Sequence, residues 1–164
     1  MSPAPAEQIV KVAEWAVERG DGVIVTLGLG SCVAIMLHDQ EAAVGGMAHV
    51  LLPSRSLARD ATNPAKFPET AVPLLLEHLT ALGAARARLV AKLAGGASMF
   101  AQLMSPGTMQ MGERNVVAVR EALRRHAIPI VAESVGGERG RSVRFHVRTG
   151  RVEIRAVGAN GLVI

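Results

Sequence analysis

The one thiol of the chain, Cys32, follows Thr26-Leu27-Gly28-Leu29-Gly30-Ser31, where an apolar run ends, passes through two glycines and gives way to a second run, Val33-Ala-Ile-Met-Leu37. A turn of this composition can aim backbone N–H groups at one point. A nucleophile there would find oxyanion donors in the amides of Gly30, Ser31 or Cys32 itself, each worth roughly 3 kcal/mol in comparable sites. The same position also suits a buried core cysteine, because free Cys is among the most buried residue types. His49 ends a third apolar run, Val44-Gly-Gly-Met-Ala-His49, just before a polar stretch. If three adjacent strands carry Thr26, Cys32 and His49 at neighbouring ends, a hydroxyl, a thiol and a base converge as a triad. A paired histidine that lowers a thiol pKa by about two units gains roughly 2.7 kcal/mol at most. Amide positioning, oxyanion donors and proton delivery by His49 must then supply the rest. The other histidines read as surface or structural residues: His38 beside Asp39 in a turn, His78 on a polar helix face, His126 at a helix end and His146 within a strand.

Several other chemistries are disfavoured. Gly28-Leu29-Gly30 lacks the third small residue of a dinucleotide fingerprint, because position 33 is Val and opens a strand-like run where a helix is needed. A single cysteine permits no internal disulfide and no cage of several thiolates, so neither metal nor cofactor is expected. The formal net charge of +4 favours an acidic partner surface. With no Tyr, three Phe and one Trp, few rings are available for base stacking, which argues against nucleic acid. No apolar run approaches the roughly 18 residues of a membrane helix. Met1 to Gln8 lacks the basic and apolar regions of a secretory leader, so the expected location is the cytoplasm.

The elements that must position these residues follow from periodicity. Residues 9–17 satisfy both strand and helix periods. Residues 22–27, 32–37 and 43–49 read as three successive strands, and Pro53 to Pro68 as an exposed loop. Val72, Leu75, Leu76, Leu79 and Leu82 define an amphipathic helix with its stop at Gly83. Pro73 is tolerable only in a first turn, which places the start near Thr70. A strand over 88–94 leads into Gly95-Gly96-Ala97-Ser98-Met99, small residues through which backbone could approach a ligand. A helix from about Gly112 to His126 and strands over 130–135, 142–147 and 152–157 complete the chain, with Thr149-Gly150 as a hairpin turn. The expected fold is α/β (α+β), a mixed β-sheet sandwich covered by two main helices in a single domain over 1–164.

The stretches Gly22-Val-Ile-Val-Thr-Leu-Gly-Leu-Gly-Ser-Cys-Val-Ala34 and Gly46-Met-Ala-His-Val-Leu-Leu-Pro53 closely resemble the chemoreceptor glutamine deamidase family, CheD. The likeness continues in 64–72, Lys92-Leu-Ala-Gly-Gly-Ala-Ser-Met-Phe100, Gly112-Glu-Arg-Asn115 and 136–142. It implies hydrolysis of selected glutamine side chains on methyl-accepting chemoreceptors to glutamate, with release of ammonia. Carried over position by position, it implies Cys32 as nucleophile, His49 as acid/base partner and Thr26 in support. It also implies a fold like that of deamidating toxin catalytic domains, a strand within 9–17, and a CheC-type phosphatase as partner beside the receptor helices. Gly30 and Ser31, with Gly96 and Ser98, are the candidates for the oxyanion and substrate-binding positions. Two other readings stay open: a binding module that regulates a phosphatase, and an amidase or transglutaminase that uses the same thiol on other substrates.

Overall fold

The computed structural model describes residues 6–164, so most of the Met1 to Gln8 stretch lies outside it. Ten strands form two five-stranded sheets, both mixed. The first sheet is ordered β1 (Glu7–Ile9), β3 (Val23–Leu29), β8 (Arg141–His146), β9 (Val152–Ala156), β10 (Leu162–Val163). The second is ordered β2 (Trp15–Arg19), β5 (Val44–Val50), β4 (Val33–Asp39), β6 (Val90–Gly95), β7 (Ile130–Val135). The β1–β3 and β6–β7 pairs are parallel and the remaining pairs antiparallel. Helices α1 (Pro68–Ala81) and α2 (Met111–Arg125) both lie on the second sheet.

Period-two alternation divides the core into two layers. Val33, Ile35 and Leu37 of β4, with Ala48 and Val50 of β5, pack on the apolar stripes of the helices, including Leu75, Leu79, Val119 and Leu123. The intervening residues Cys32, Ala34, Met36 and Met47 face the other way, onto Ile24, Val143, Phe145 and Ile154 of the first sheet. This second layer needs a close approach at Gly45. A Cβ there would lie 2.7 Å from the Phe145 ring, so glycine is what lets the largest side chain of the first sheet seat against β5.

Several expectations change. Residues 9–17 are parts of two strands in different sheets, broken where Ala13 turns with a φ of 61°. β3 is not beside β4 in one sheet; it faces β4 and β5 across the gap between sheets. The first helix starts at Pro68, and Pro73 sits within it. Pro68 supplies the favourable first position, and Pro73 lies on the exposed face, where water can serve the carbonyl that its missing N–H leaves free. The segment 53–67 contains two 3-10 turns and buries Ala65 and Phe67. His38 and Asp39 are the buried end of β4. Burial would raise the Asp39 carboxyl, but bonds from Arg88 and from the Ala85 and Ala42 N–H groups outweigh it and hold the pKa at about 2.

Replacing Gly45 by Ala should lower stability by about 1–3 kcal/mol through overpacking against Phe145. Urea denaturation of the variant measures this, and an unchanged midpoint would contradict the close approach of the two sheets.

Candidate active site

Thr26, Cys32 and His49 meet at one end of the inter-sheet layer. Thr26 shares the inward face of β3 with Ile24. Beyond it the register of β3 against β8 shifts between Thr26 and Leu29, where Gly28 adopts a φ of +67°. The bulge turns the chain toward the second sheet, and Cys32 stands immediately before β4. Ala34 is the cross-strand partner of His49. Cys32, two residues earlier on the same face, is therefore its diagonal neighbour. Thr26 and His49 are fully buried and Cys32 is 8% exposed.

One hydrogen-bond chain fixes the imidazole. Thr26 Oγ1 donates its only proton to the Val10 carbonyl at 2.6 Å. Its 2.7 Å contact with His49 Nδ1 must then be accepted from an Nδ1–H. The proton of a neutral His49 is thereby assigned to Nδ1, leaving Nε2 with a lone pair and, among the described residues, no hydrogen-bond partner. The thiol of Cys32 makes no hydrogen bond to Nε2 in this structure. Burial lowers the His49 pKa to about 4, against an opposing pull from Glu14. Burial also raises that of Cys32, against a smaller opposing effect of its own N–H. Burial therefore favours the uncharged form of both the thiol and the imidazole, so the Cys32 pKa moves opposite to the lowering that a paired histidine would bring.

The turn before β4 has its carbonyls and its N–H groups sorted. Gly30 O accepts from Ala97 N at 2.8 Å, Ser31 O from Asn115 Nδ2 at 2.9 Å and Cys32 O from Gly96 N at 2.8 Å. The N–H groups of Ser31 and Cys32 meet no acceptor from another residue among those described. In a trans peptide, C=O and N–H point oppositely, so fixing these carbonyls turns both N–H groups the other way. That arrangement suits a developing anion. Gly96 has its N–H committed to Cys32 O, and a Cβ there would sit 2.4 Å from Val116, so its place is behind the turn instead of on a substrate. Ser98 donates its N–H to Gly137 O. Together with Ser31, Ala97, Met99 and Phe100 it lines a cavity of about 220 Å³.

Residues that composition and spacing did not single out also shape the site. Asn115 appeared only inside a motif, yet it reaches the turn directly. Arg141 donates to the carbonyls of Gly95, Ser134 and Gly136, and so ties the first sheet to the backbone behind Gly96. The segment 99–109 exposes Met99, Phe100, Leu103, Met104 and Met109, of which Met99 and Phe100 line the cavity. Among the described residues no group of three or more His, Cys, Asp and Glu side chains could hold a metal ion.

Residues 51–156 match the family model described as CheD chemotactic sensory transduction. The chain belongs to the CheD family. It is 47% identical over 152 residues to the "Chemoreceptor glutamine deamidase CheD" of Thermotoga maritima, covering 93% of each chain. It is 46% identical over 155 residues to the "Probable chemoreceptor glutamine deamidase CheD" of Moorella thermoacetica, covering 94% of this chain and 93% of the relative. Coverage of that extent reaches across residues 26–49, which the family-model match leaves out. In fold, the chain is similar to a Neisseria meningitidis protein of the DUF152 family model, with a TM-score of 0.51, 10% identity, and 82% of this chain and 65% of that one covered. The two sheets and two helices agree with the α/β sandwich expected from the sequence, and the family model and relatives bear out the CheD membership inferred from its motifs. No described helix is long and apolar enough to cross a membrane.

The buried neutral His49 makes a prediction for acid stability. Between its ordinary pKa of 6.5 and its folded value of about 4, the unfolded chain binds a proton that the folded protein refuses. Stability therefore falls as pH drops through that window, by about 3 kcal/mol in full. His38, also lowered by burial, acts in the same direction. Urea denaturation at pH 7 and pH 4.5 should show a larger acid loss in the wild type than in His49→Gln; equal losses would mean that His49 titrates normally.

Proposed function

We propose that the chain is one catalytic domain that hydrolyses glutamine side-chain amides of methyl-accepting chemoreceptors to glutamate, releasing ammonia. The observation that carries this reading is the Val10–Thr26–His49 chain, which leaves a buried, unprotonated Nε2 on the face that Cys32 shares. Membership of a family whose relatives are called chemoreceptor glutamine deamidases supports the choice of substrate.

The steps balance with the residues present. His49 Nε2 takes the thiol proton of Cys32 as Sγ bonds to the carboxamide carbon of the substrate. The negative charge that forms on the amide oxygen faces the N–H groups of Ser31 and Cys32. His49 returns the proton to the departing nitrogen, which leaves as ammonia and a thioester remains. Water then loses a proton to His49 as it attacks the thioester, and that proton returns to Sγ when the glutamate carboxyl is released. Because the resting pair is neutral, thiolate forms only as substrate arrives. This fits a site whose thiol reacts more slowly with water-borne electrophiles than an exposed one would, because burial disfavours the thiolate.

A receptor helix needs an apolar surface on which to dock. The exposed Met99, Phe100, Leu103, Met104 and Met109 supply one next to the cavity that Ser31 and Ser98 line. The segment 54–66 forms a second candidate wall near His49, since Asn63 Nδ2 donates to Ala13 O and Ala13 N donates to His49 O. A CheC-type phosphatase is the further partner that the family resemblance brings. A cytoplasmic site of action follows from receptor cytoplasmic helices as substrate.

Ammonia release and a mass gain of about one dalton per glutamine on receptor cytoplasmic fragments test this reading. Cys32→Ala and His49→Ala should each fall by at least ~100-fold, and Thr26→Val by at least ~10-fold. Full activity in Cys32→Ala would sink the mechanism. Binding of a CheC-type phosphatase should survive Cys32→Ala, and silence of the wild type with intact phosphatase binding would favour a regulatory binding module. Ser98→Ala should weaken receptor processing more than Cys32 alkylation by iodoacetamide, and equal losses would count against Ser98 as part of the substrate wall.

A further inference from the structure

Asn115 lies in the first half of α2, is fully buried, and directs its amide at the strand ends that carry Cys32 and His49. Nδ2 donates to Ser31 O at 2.9 Å and to Leu51 O at 3.1 Å. Reversing the amide would set Oδ1 against two carbonyls, so the neighbours fix its orientation. As a consequence Oδ1 has no hydrogen-bond partner among the described residues. An unpartnered buried acceptor is destabilising. That cost stands against two hydrogen bonds to carbonyls with no other donor among the described residues, so what the residue supplies is two donors in one place.

Both donors act where the sheet has stopped holding its strands together. The β4–β5 pairing runs as far as Val33 opposite Val50. Beyond it β5 leaves the ladder, and Leu51 and Leu52 donate to Lys66 O instead. Ser31 O and Leu51 O are bridged by Asn115 alone among the described side chains. Ser31 O also belongs to the same rigid peptide as the Cys32 N–H. Gly30 O and Cys32 O are held by backbone donors, whereas the middle peptide depends on this one side chain.

We propose that Asn115 is a positioning residue for amide hydrolysis: anchored by its bond to Leu51 O, it holds the Ser31 carbonyl and so keeps the Cys32 N–H turned toward the oxyanion. The inference rests on the deamidase reading above. It predicts a defect confined to the step in which negative charge builds on the amide oxygen. Thiol chemistry that forms no oxyanion should be spared.

The test uses the full chain as wild type, Asn115→Leu and Asn115→Ser. Ammonia release on receptor cytoplasmic fragments gives kcat and KM, and iodoacetamide alkylation of Cys32 gives thiol reactivity. The expected result is a kcat lower by about 100-fold in each folded variant, with KM and alkylation within about threefold of wild type. A kcat within about threefold of wild type, or alkylation that falls in step with kcat, would overturn the proposal, since a merely structural role moves all these quantities together. A second measurement does not need turnover. A receptor peptide whose glutamine carboxamide is replaced by an aldehyde should form a thiol adduct, and the Cys32 amide proton should then move downfield in the NMR spectrum of the wild type. An unmoved amide in the wild-type adduct overturns the proposal even if neither variant folds. If the wild type releases no ammonia yet shows the shift, the choice of substrate has failed while the oxyanion geometry stands.

Discussion

The hydroxyl of Thr26 has a single proton, and the Val10 carbonyl takes it. Everything that makes His49 useful follows from that allocation. The oxygen can only accept from Nδ1, so Nε2 is left bare in a buried seam. The bond also crosses between the two sheets, because Thr26 comes from β3 and His49 from β5. The candidate site is consequently a property of how the sheets pack. Gly45, which lets Phe145 approach β5, and Arg141, which ties β8 to the ends of β6 and β7, act on the same seam from two sides.

Burial sets the electrostatics of the candidate site. A solvent-exposed thiol and imidazole could exchange a proton to form an ion pair at rest, but desolvation opposes the charged form of both. Activation before substrate binds is therefore weak. In the proposed mechanism the larger share falls to the turn at Gly30–Cys32, whose carbonyls are occupied and whose Ser31 and Cys32 N–H groups bond no other residue among those described. Donors fixed in this way need no reorganisation when the charge appears. The Cβ that Gly96 lacks would collide with Val116, so the support behind the turn depends on glycine at that point.

Much of this was legible in the sequence because local rules carry it. The alternation in residues 32–37 and 43–49 gives β4 and β5, the leucine spacing gives α1, and glycines mark the turn ahead of Cys32. The motifs around Cys32 and His49 pointed to the CheD family, which the relatives bear out. What stayed hidden is non-local. Periodicity could not tell that β3 belongs to a different sheet from β4, that Ala13 breaks residues 9–17 into two strands, or that α1 accommodates Pro73 on its solvent side. Asn115 gave no signal beyond its motif, since a buried amide announces itself only once the carbonyls it serves are placed. The raised Cys32 pKa is hidden for the same reason: it comes from depth of burial, which outweighs the pull of its own N–H, and depth is a property of packing.

The central claim is that His49 rests as a neutral imidazole with its proton on Nδ1. Long-range proton–nitrogen NMR correlation of the wild type at pH 7 reads this directly. The account predicts a protonated Nδ1 bonded to Thr26 and an unprotonated Nε2. A proton on Nε2, or an imidazolium carrying both, would contradict it.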